Sequence, residues 1–229
     1  RITMTEHGTA QPSDELRQHA ARRRHLQDHL KKFKQITGEF PLFIDEADDE
    51  YETDRPNVLY PVGGPIFVHI YGDVGQDTKY YAIEPELDQT EATVYQNVRD
   101  KLLQKSVTKP APTDEAEYDD RIEELLQETT RIKDGEDTGL FSRLPSILDM
   151  GKVEVSRETY EDIRYILNRD IVGLGPLEPI MRDPANEDIH VIGPHETYVD
   201  HSVYSMLETT VDFGEPEEFD QWLRNMGER

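Results

Sequence analysis

Apolar positions Leu16, Ala20, Leu26, Leu30, Phe33 and Ile36 recur near a helical spacing and predict a helix over about 13–37. Further on, Ile66, Val68 and Ile70 alternate with Phe67, His69 and Tyr71, which predicts a strand. The turn-forming Gly72, Asp73, Val74 and Gly75 lead from it to a second strand, Lys79–Ile83. Asp88-x-x-Glu91 has the form of a capping box, opening a helix with Val94, Val98 and Leu102 on one face. After Pro110 and Pro112, Asp114-x-x-Glu117 opens another, presenting Tyr118, Ile122, Leu125 and Ile132. Residues 135–151 read as a long mixed loop, and Ser156 caps a helix carrying Tyr160, Ile163, Ile166 and Leu167.

The last third is the most regular. Gly175-Pro176 starts a short helix with Leu177, Ile180 and Met181, placing proline where its missing N–H costs nothing. Strands are expected around 188–192 and 197–201. In a third, Leu207, Thr209, Val211 and Phe213 face one side while Glu208, Thr210 and Asp212 face the other. Pro216 opens a final helix with Phe219, Trp222, Leu223 and Met226 inward. The fold class is α+β: a helical N-terminal segment plus a small mixed or antiparallel sheet layer packed with helices. Three sections are expected: a basic helical segment at 1–40, a hairpin-plus-helices section at 41–150, and a compact α+β domain at 151–229.

Charge adds a second layer of information. The 229 residues hold 49 acidic and 25 basic side chains, a formal charge of −24, and only nine of the basic residues are lysine. In dilute buffer such self-repulsion loosens the compact state. At about 1 M salt the Debye length falls to roughly 3 Å and the repulsion is screened. Carboxylate spread through periodic segments as well as loops favours a protein of a halophile over an ordinary acidic protein with loose tails. Against this background the N-terminal helix is an exception: Arg17, Arg22, Arg23, Arg24, Lys31, Lys32 and Lys34 face only Asp14, Glu15 and Asp28. Docking onto an acidic partner or anionic lipid headgroups is favoured over packing on the chain's own acidic surface, and a protein partner that also uses the apolar stripe over lipid alone, because salt weakens attachment by charge alone. Residues 45–56 read as a solvated acidic connector lacking the spacing and glycine of a calcium loop.

Catalytic chemistry is mostly missing. No G-x-x-x-x-G-K-[ST] occurs, so nothing in the chain cradles a triphosphate, and the chain alone is not expected to hydrolyse ATP. Gly63-Gly64 and Gly173-x-Gly175 read as turns. His25 and His29 share a helical face, but the metalloprotease glutamate is absent and Leu26 stands in its place, so they read as surface residues and no metal site is expected. His190, His195 and His201 lie near Ser202 and Ser205 by proximity only, so no catalytic residue is assigned. There is no cysteine, and no apolar run reaches the roughly 18 residues of a membrane span. The chain opens with Arg1 rather than Met, with Met4 a possible start. It closes on a helix just completed, so both ends read as those of a fragment or of misplaced gene boundaries.

The stretch YILNRDIVGLGPLEPIMRDPANEDIHVIGPHETYVDHSVYSMLETTVDF, from Tyr165 onward, resembles the N-terminal domain of the archaellum and type IV pilus assembly ATPases, relatives of the type II/IV secretion ATPases. The resemblance rests on Arg169-Asp170, on Gly173, Gly175, Pro176 and Leu177, on Asp183-Pro184, and on Glu187, Asp188 and Ile189. It extends to a "Y-x-x-x-E-P-x-L" joint made here by Tyr80, Glu84, Pro85 and Leu87, so it spans about 57–229 in order. The signature residues Gly173, Gly175, Pro176, Asp183, Pro184 and Asp188 have scaffold roles.

The resemblance implies a hexameric ring, a short linker to a RecA-like domain absent from this chain, and an integral membrane platform protein worked by the relative motion of the two domains. It implies that ATP and Mg bind only with that missing domain, that no nucleic acid is involved, and that the protein is cytoplasmic and peripheral to the inner face of the cell membrane. The strand after Asp188-Ile189-His190 lacks the arginine of the bacterial branch, so no arginine finger is carried over. Arg224 and Arg229 fall near the expected linker and are candidates for approach to nucleotide in a complete protein. Two rivals remain: a stand-alone P-loop-free adaptor or ring-assembly paralogue, and a sensory domain with a closed apolar pocket.

Overall fold

The computed structural model describes residues 8–108, 115–133 and 152–227. The expected loop at 135–151, the helix-opening Asp114, the Leu102 side chain and Arg229 lie outside the described residues. The elements in chain order are α1 (Asp14–Ala21), α2 (Arg24–Thr37), β1 (Leu42–Phe43), β2 (Asn57–Gly63), β3 (Ile66–Tyr71), β4 (Lys79–Ile83), α3 (Gln89–Thr108), α4 (Glu115–Thr129), β5 (Thr130–Ile132), β6 (Val153–Val155), α5 (Arg157–Ile171), α6 (Glu178–Met181), β7 (Asn186–Gly193), β8 (Glu196–His201), β9 (Ser205–Thr209) and α7 (Pro216–Gly227). Single 3-10 turns occupy Asp49–Tyr51 and Gly175–Leu177. The protein is α+β, with a mixed seven-stranded sheet and a small parallel pair. Contacts divide it into two units, Arg1–Pro85 with Leu174–Arg229, and Glu86–Gly173, so the second is inserted in sequence within the first.

The first unit is built on the seven-stranded sheet, order β1-β2-β3-β4-β9-β8-β7. Two of its pairings are parallel, β1 with β2 and β4 with β9; the rest are antiparallel. The early hairpin and the late strands, which the sequence places in separate sections, therefore share one sheet. On one face Val58, Tyr60, Val68, Ile70, Tyr80, Val199 and Leu207 form the main core with Leu177 and Ile180. On the other, Leu59, Phe67 and Ile83 meet Leu16, Leu26 and Leu30 from α1 and α2. Strand alternation decides which residues go to which face.

The N-terminal helix is two helices rather than one, broken at Arg22 and Arg23. Ser13 caps α1 by accepting from Leu16 N, and Gly38 ends α2 at φ 81°. Ile36, expected in the apolar stripe, is 83% exposed. At 100° per residue it sits to one side of the arc defined by Leu26, Leu30 and Phe33. The acidic connector is anchored as well as solvated: Asp48 caps the 3-10 turn at Asp49–Tyr51, and Tyr51 O accepts from Tyr204 Oη at 2.9 Å. The third C-terminal strand ends at Thr209, but its alternation continues, leaving Val211 and Phe213 buried. In α7, Phe219 and Trp222 pack against Phe213, whereas Leu223 faces solvent, correcting its expected inward position.

The glycine-proline corner positions this last helix. Gly175 has φ 61°, and a Cβ there would meet the Trp222 ring at 3.3 Å. Trp222 Nε1 donates to Leu174 O at 3.0 Å. We expect Gly175→Ala to destabilise the first unit by about 2 kcal/mol, combining left-handed strain with the ring contact. A urea titration followed through Trp222, the chain's single tryptophan, checks this. An unchanged midpoint would remove the close-approach role.

In the second unit α3, α4 and α5 enclose Val94, Val98, Ile122, Leu125, Leu126, Ile163 and Leu167. The capping box forms as expected: Asp88 Oδ1 accepts from Glu91 N at 2.9 Å and Glu91 Oε2 from Asp88 N at 2.8 Å. Ser156 caps α5 by accepting from Thr159 N. Ile132, expected on the α4 helix, instead lies on β5, which pairs with β6. Thr129 and Thr130 return their hydroxyls to the last carbonyls of α4, turning the chain out of the helix there. Among the described residues no helix is long and apolar enough to cross a membrane.

Candidate functional site

The basic residues of the N-terminal segment come together on the α1–α2 hairpin. Arg17, Arg22, Arg24, Lys31 and Lys32 are exposed; Arg23 and Lys34 are partly buried. Two contacts with acidic neighbours, Arg17 to Asp14 at 3.1 Å and Lys31 to Asp28 at 3.3 Å, are exposed pairs worth less than about 1 kcal/mol each. Lys34 reaches Gly38 O and lies 4.8 Å over the Phe40 ring. Between the two helices runs a groove of about 360 Å³, with Leu16, Ala20, Leu30 and Phe40 in it and Arg17, Lys31 and Lys34 around it. A cationic rim around an apolar floor suits a partner segment that is both acidic and apolar.

Beneath the hairpin is a polar feature that the sequence reading missed. His29 is not a surface residue: its Nε2 lies 2.8 Å from His69 Nδ1, and His69 Nε2 lies 3.0 Å from Asn57 Oδ1. Each imidazole has one proton to give, so both rings are neutral in this arrangement. Burial, with Lys32 adding, lowers the His29 pKa to about 4. Burial also takes His69 well below the usual histidine range, with His29 adding. Phe33 and Tyr81 close the cluster, with ring centroids 4.5 and 5.6 Å from His69. His25 gives its Nε2 to Pro65 O at 2.7 Å. Among the described residues no group of three or more His, Asp or Glu is placed to hold a metal ion.

One signature residue, Asp183, is the hub of a second polar centre. Asp183, 3% exposed, accepts from Tyr60 Oη at 2.8 Å and Tyr80 Oη at 2.9 Å on one oxygen, and from Ala185 N at 3.0 Å on the other. His201 Nδ1 accepts from Val203 N, so its proton is on Nε2, which donates to Tyr60 Oη at 3.1 Å. Asn186 Nδ2 donates to Tyr80 Oη at 3.3 Å. Burial and the Asp183 charge push both tyrosines well above the usual phenol range, so they remain donors. Burial lowers His201, against the opposing pull of Asp183. Pro184 ends the short helix after Asp183, and Asp188 is exposed on β7. Tyr80 and Asp183 belong to motifs visible in sequence, whereas Tyr60 and His201 carry no local signal.

Gly173 closes the second unit, its N–H bonding Asn168 O at 2.8 Å, while Gly175 and Pro176 open the 3-10 turn of the first. Arg224 lies exposed on α7, reaching Gln221 Oε1 at 3.4 Å.

No family model matches the chain. It is similar to two proteins of Methanocaldococcus jannaschii, both bearing the description "uncharacterized". The first, MJ0900, is 36% identical over 219 residues, covering 94% of this chain and 39% of that protein. The second, MJ1288, is 25% identical over 203 residues, covering 87% of this chain and 73% of that protein. The chain thus spans well under half of the first relative and most of the second.

Proposed function

We propose that this chain is the N-terminal, non-catalytic part of a hexameric motor ATPase of secretion, archaellum or type IV pilus assembly. In this reading it couples ATP-driven domain motion to a membrane platform protein. The observation that carries the proposal is the hydrogen bond from Tyr80 to Asp183. It joins the two stretches on which the resemblance rests, the joint at 80–87 and the corner at 173–189, into one buried centre. A rigid sheet tied in this way acts as a lever, holding and transmitting force, while phosphate chemistry belongs to a RecA-like domain that would supply ATP and Mg sites. The basic hairpin, Arg17, Arg22, Arg23, Arg24, Lys31, Lys32 and Lys34, is the docking surface for the platform. The protein then works in the cytoplasm of a halophilic archaeon, against the inner face of the membrane. Arg224 and Arg229 fall in the sequence next to the linker expected to lead to the nucleotide domain.

The purified chain is expected to show no ATP turnover above background in molar salt. Turnover that scales with protein and survives repurification overturns the reading.

A stand-alone adaptor or ring-assembly role is the second reading, favoured by the relative that this chain spans over 73% of its length, leaving little of that protein for a further large domain. The gene beyond Arg229 separates the two. A Walker A motif within about 100 residues, a typical domain's reach, supports the motor, and a stop codon the adaptor.

A further inference from the structure

A cleft of about 300 Å³ opens where β2 begins and β3 ends, beside the last residue of α2. Asn57 and Tyr71, paired across the two strands, share its wall with Glu39, Arg55, Asp73 and Asp77. Asn57 is only 7% exposed and its amide is half used. His69 Nε2 holds Oδ1 at 3.0 Å, while Nδ2 has no hydrogen-bond partner among the described residues. Nδ2 lies against Gly8, which lines the same cleft, and a Cβ on Gly8 would collide with it. A buried donor left unpaired costs about 1–3 kcal/mol, so this wall favours a ligand that brings an acceptor.

The charges around that donor do not cancel. Arg55 is committed to Asp73 through Nε and Nη2, which neutralises the pair. Asp77 accepts from Asp73 N at 3.0 Å on one oxygen and keeps its charge. The partly buried Glu39 carboxylate has no partner among the described residues, and neither has the Tyr71 hydroxyl. Two uncompensated carboxylates and one buried N–H donor thus line one cleft. We propose that this cleft binds a basic amino acid, with its cationic groups against Glu39 and Asp77 and its carboxylate on the Asn57 amide. A diamine would satisfy the carboxylates and leave Asn57 unserved, whereas an acidic amino acid would be repelled. The volume stands at the low end of the about 300–1,000 Å³ of ligand clefts, which suits a molecule of this size. Molar salt screens the ionic contacts at the exposed rim, so the buried Asn57 bond is what separates the amino acid from other cations. The site does not depend on the motor reading and can be tested without it.

Isothermal titration of the whole chain with L-arginine in molar KCl tests the site, and saturable binding of one arginine per chain is expected. Agmatine, which is arginine without its carboxylate, should bind at least about tenfold more weakly, or about 1.4 kcal/mol. L-Glutamate should not bind. Glu39→Gln should weaken arginine about threefold or more, the worth of one partly exposed ion pair. Asn57→Asp keeps an acceptor for His69 and puts an oxygen where Nδ2 stood, so it should abolish the preference for arginine over agmatine. If Asn57→Asp does not fold, as read from Trp222 fluorescence, the agmatine comparison and Glu39→Gln decide. The proposal is overturned if arginine gives no saturable heat, if agmatine or glutamate binds as tightly, if Glu39→Gln leaves the affinity unchanged, or if folded Asn57→Asp still prefers arginine.

Discussion

Replacing Asp183 with alanine is expected to cost about 3–5 kcal/mol, the range for removing one member of a buried charged network. Its carboxylate accepts three hydrogen bonds, two from tyrosines that are almost wholly buried. Removing it leaves the Tyr60 and Tyr80 hydroxyls and the Ala185 N–H without their acceptor. The loss is largely the penalty on the abandoned donors. Tyr60→Phe should therefore cost less, about 1–2 kcal/mol, since Asp183 keeps Tyr80 and Ala185. Urea titration in molar salt checks both, with the midpoint moving by roughly 1–3 M for the larger effect at an ordinary slope. A shift from Asp183→Ala no larger than that from Tyr60→Phe would deny the carboxylate its central place.

Acid should detach the hairpin from the sheet. The folded-state pKa of His29 is about 4, below its ordinary 6.5, so as pH falls the unfolded chain takes up the proton first. The stability contributed by keeping this ring neutral is complete above pH 6.5 and is lost as pH falls through 4. A shift of this size corresponds to about 3 kcal/mol. His69 shifts in the same direction and adds to the loss. Protonation of His69 at Nδ1 also removes the acceptor between the rings, so the contact breaks. Opposing this, acid neutralises part of a −24 charge and relieves repulsion. The measurement is therefore a difference: stability against pH for the wild type and for His29→Phe. The wild-type curve should fall more steeply between pH 6.5 and 4, and parallel curves would remove His29 as the cause.

Local signals were readable in the sequence because they act over a few residues. The Asp88–Glu91 box, the Ser156 cap, the Gly175-Pro176 corner and the β3–β4 hairpin all form where the residues place them. β2 was not readable because it is buried on both faces over Asn57–Tyr60, which erases the two-residue alternation, and Pro61 interrupts it. The break between α1 and α2 was hidden because apolar spacing continues across Arg22 and Arg23. The joining of β4 to β9 had no sequence signature at all, since a parallel neighbour depends on where distant chain arrives. The candidate surface was legible as a run of charge. His29 was not: a histidine among lysines reads as solvated until His69, 40 residues away, is seen to meet it.

The Lys79–Glu208 register sets an order of events during synthesis. These partners are 129 residues apart, with the entire second unit emerging between them. As the ribosome releases the chain, β4 waits with a bare edge while the intervening unit is made, and its neighbour arrives last. Closing so long a loop slows that step, and the exposed edge is a site for wrong pairing in the interval. An inserted unit that assembles early on its own would hold the two ends near each other and shorten the wait.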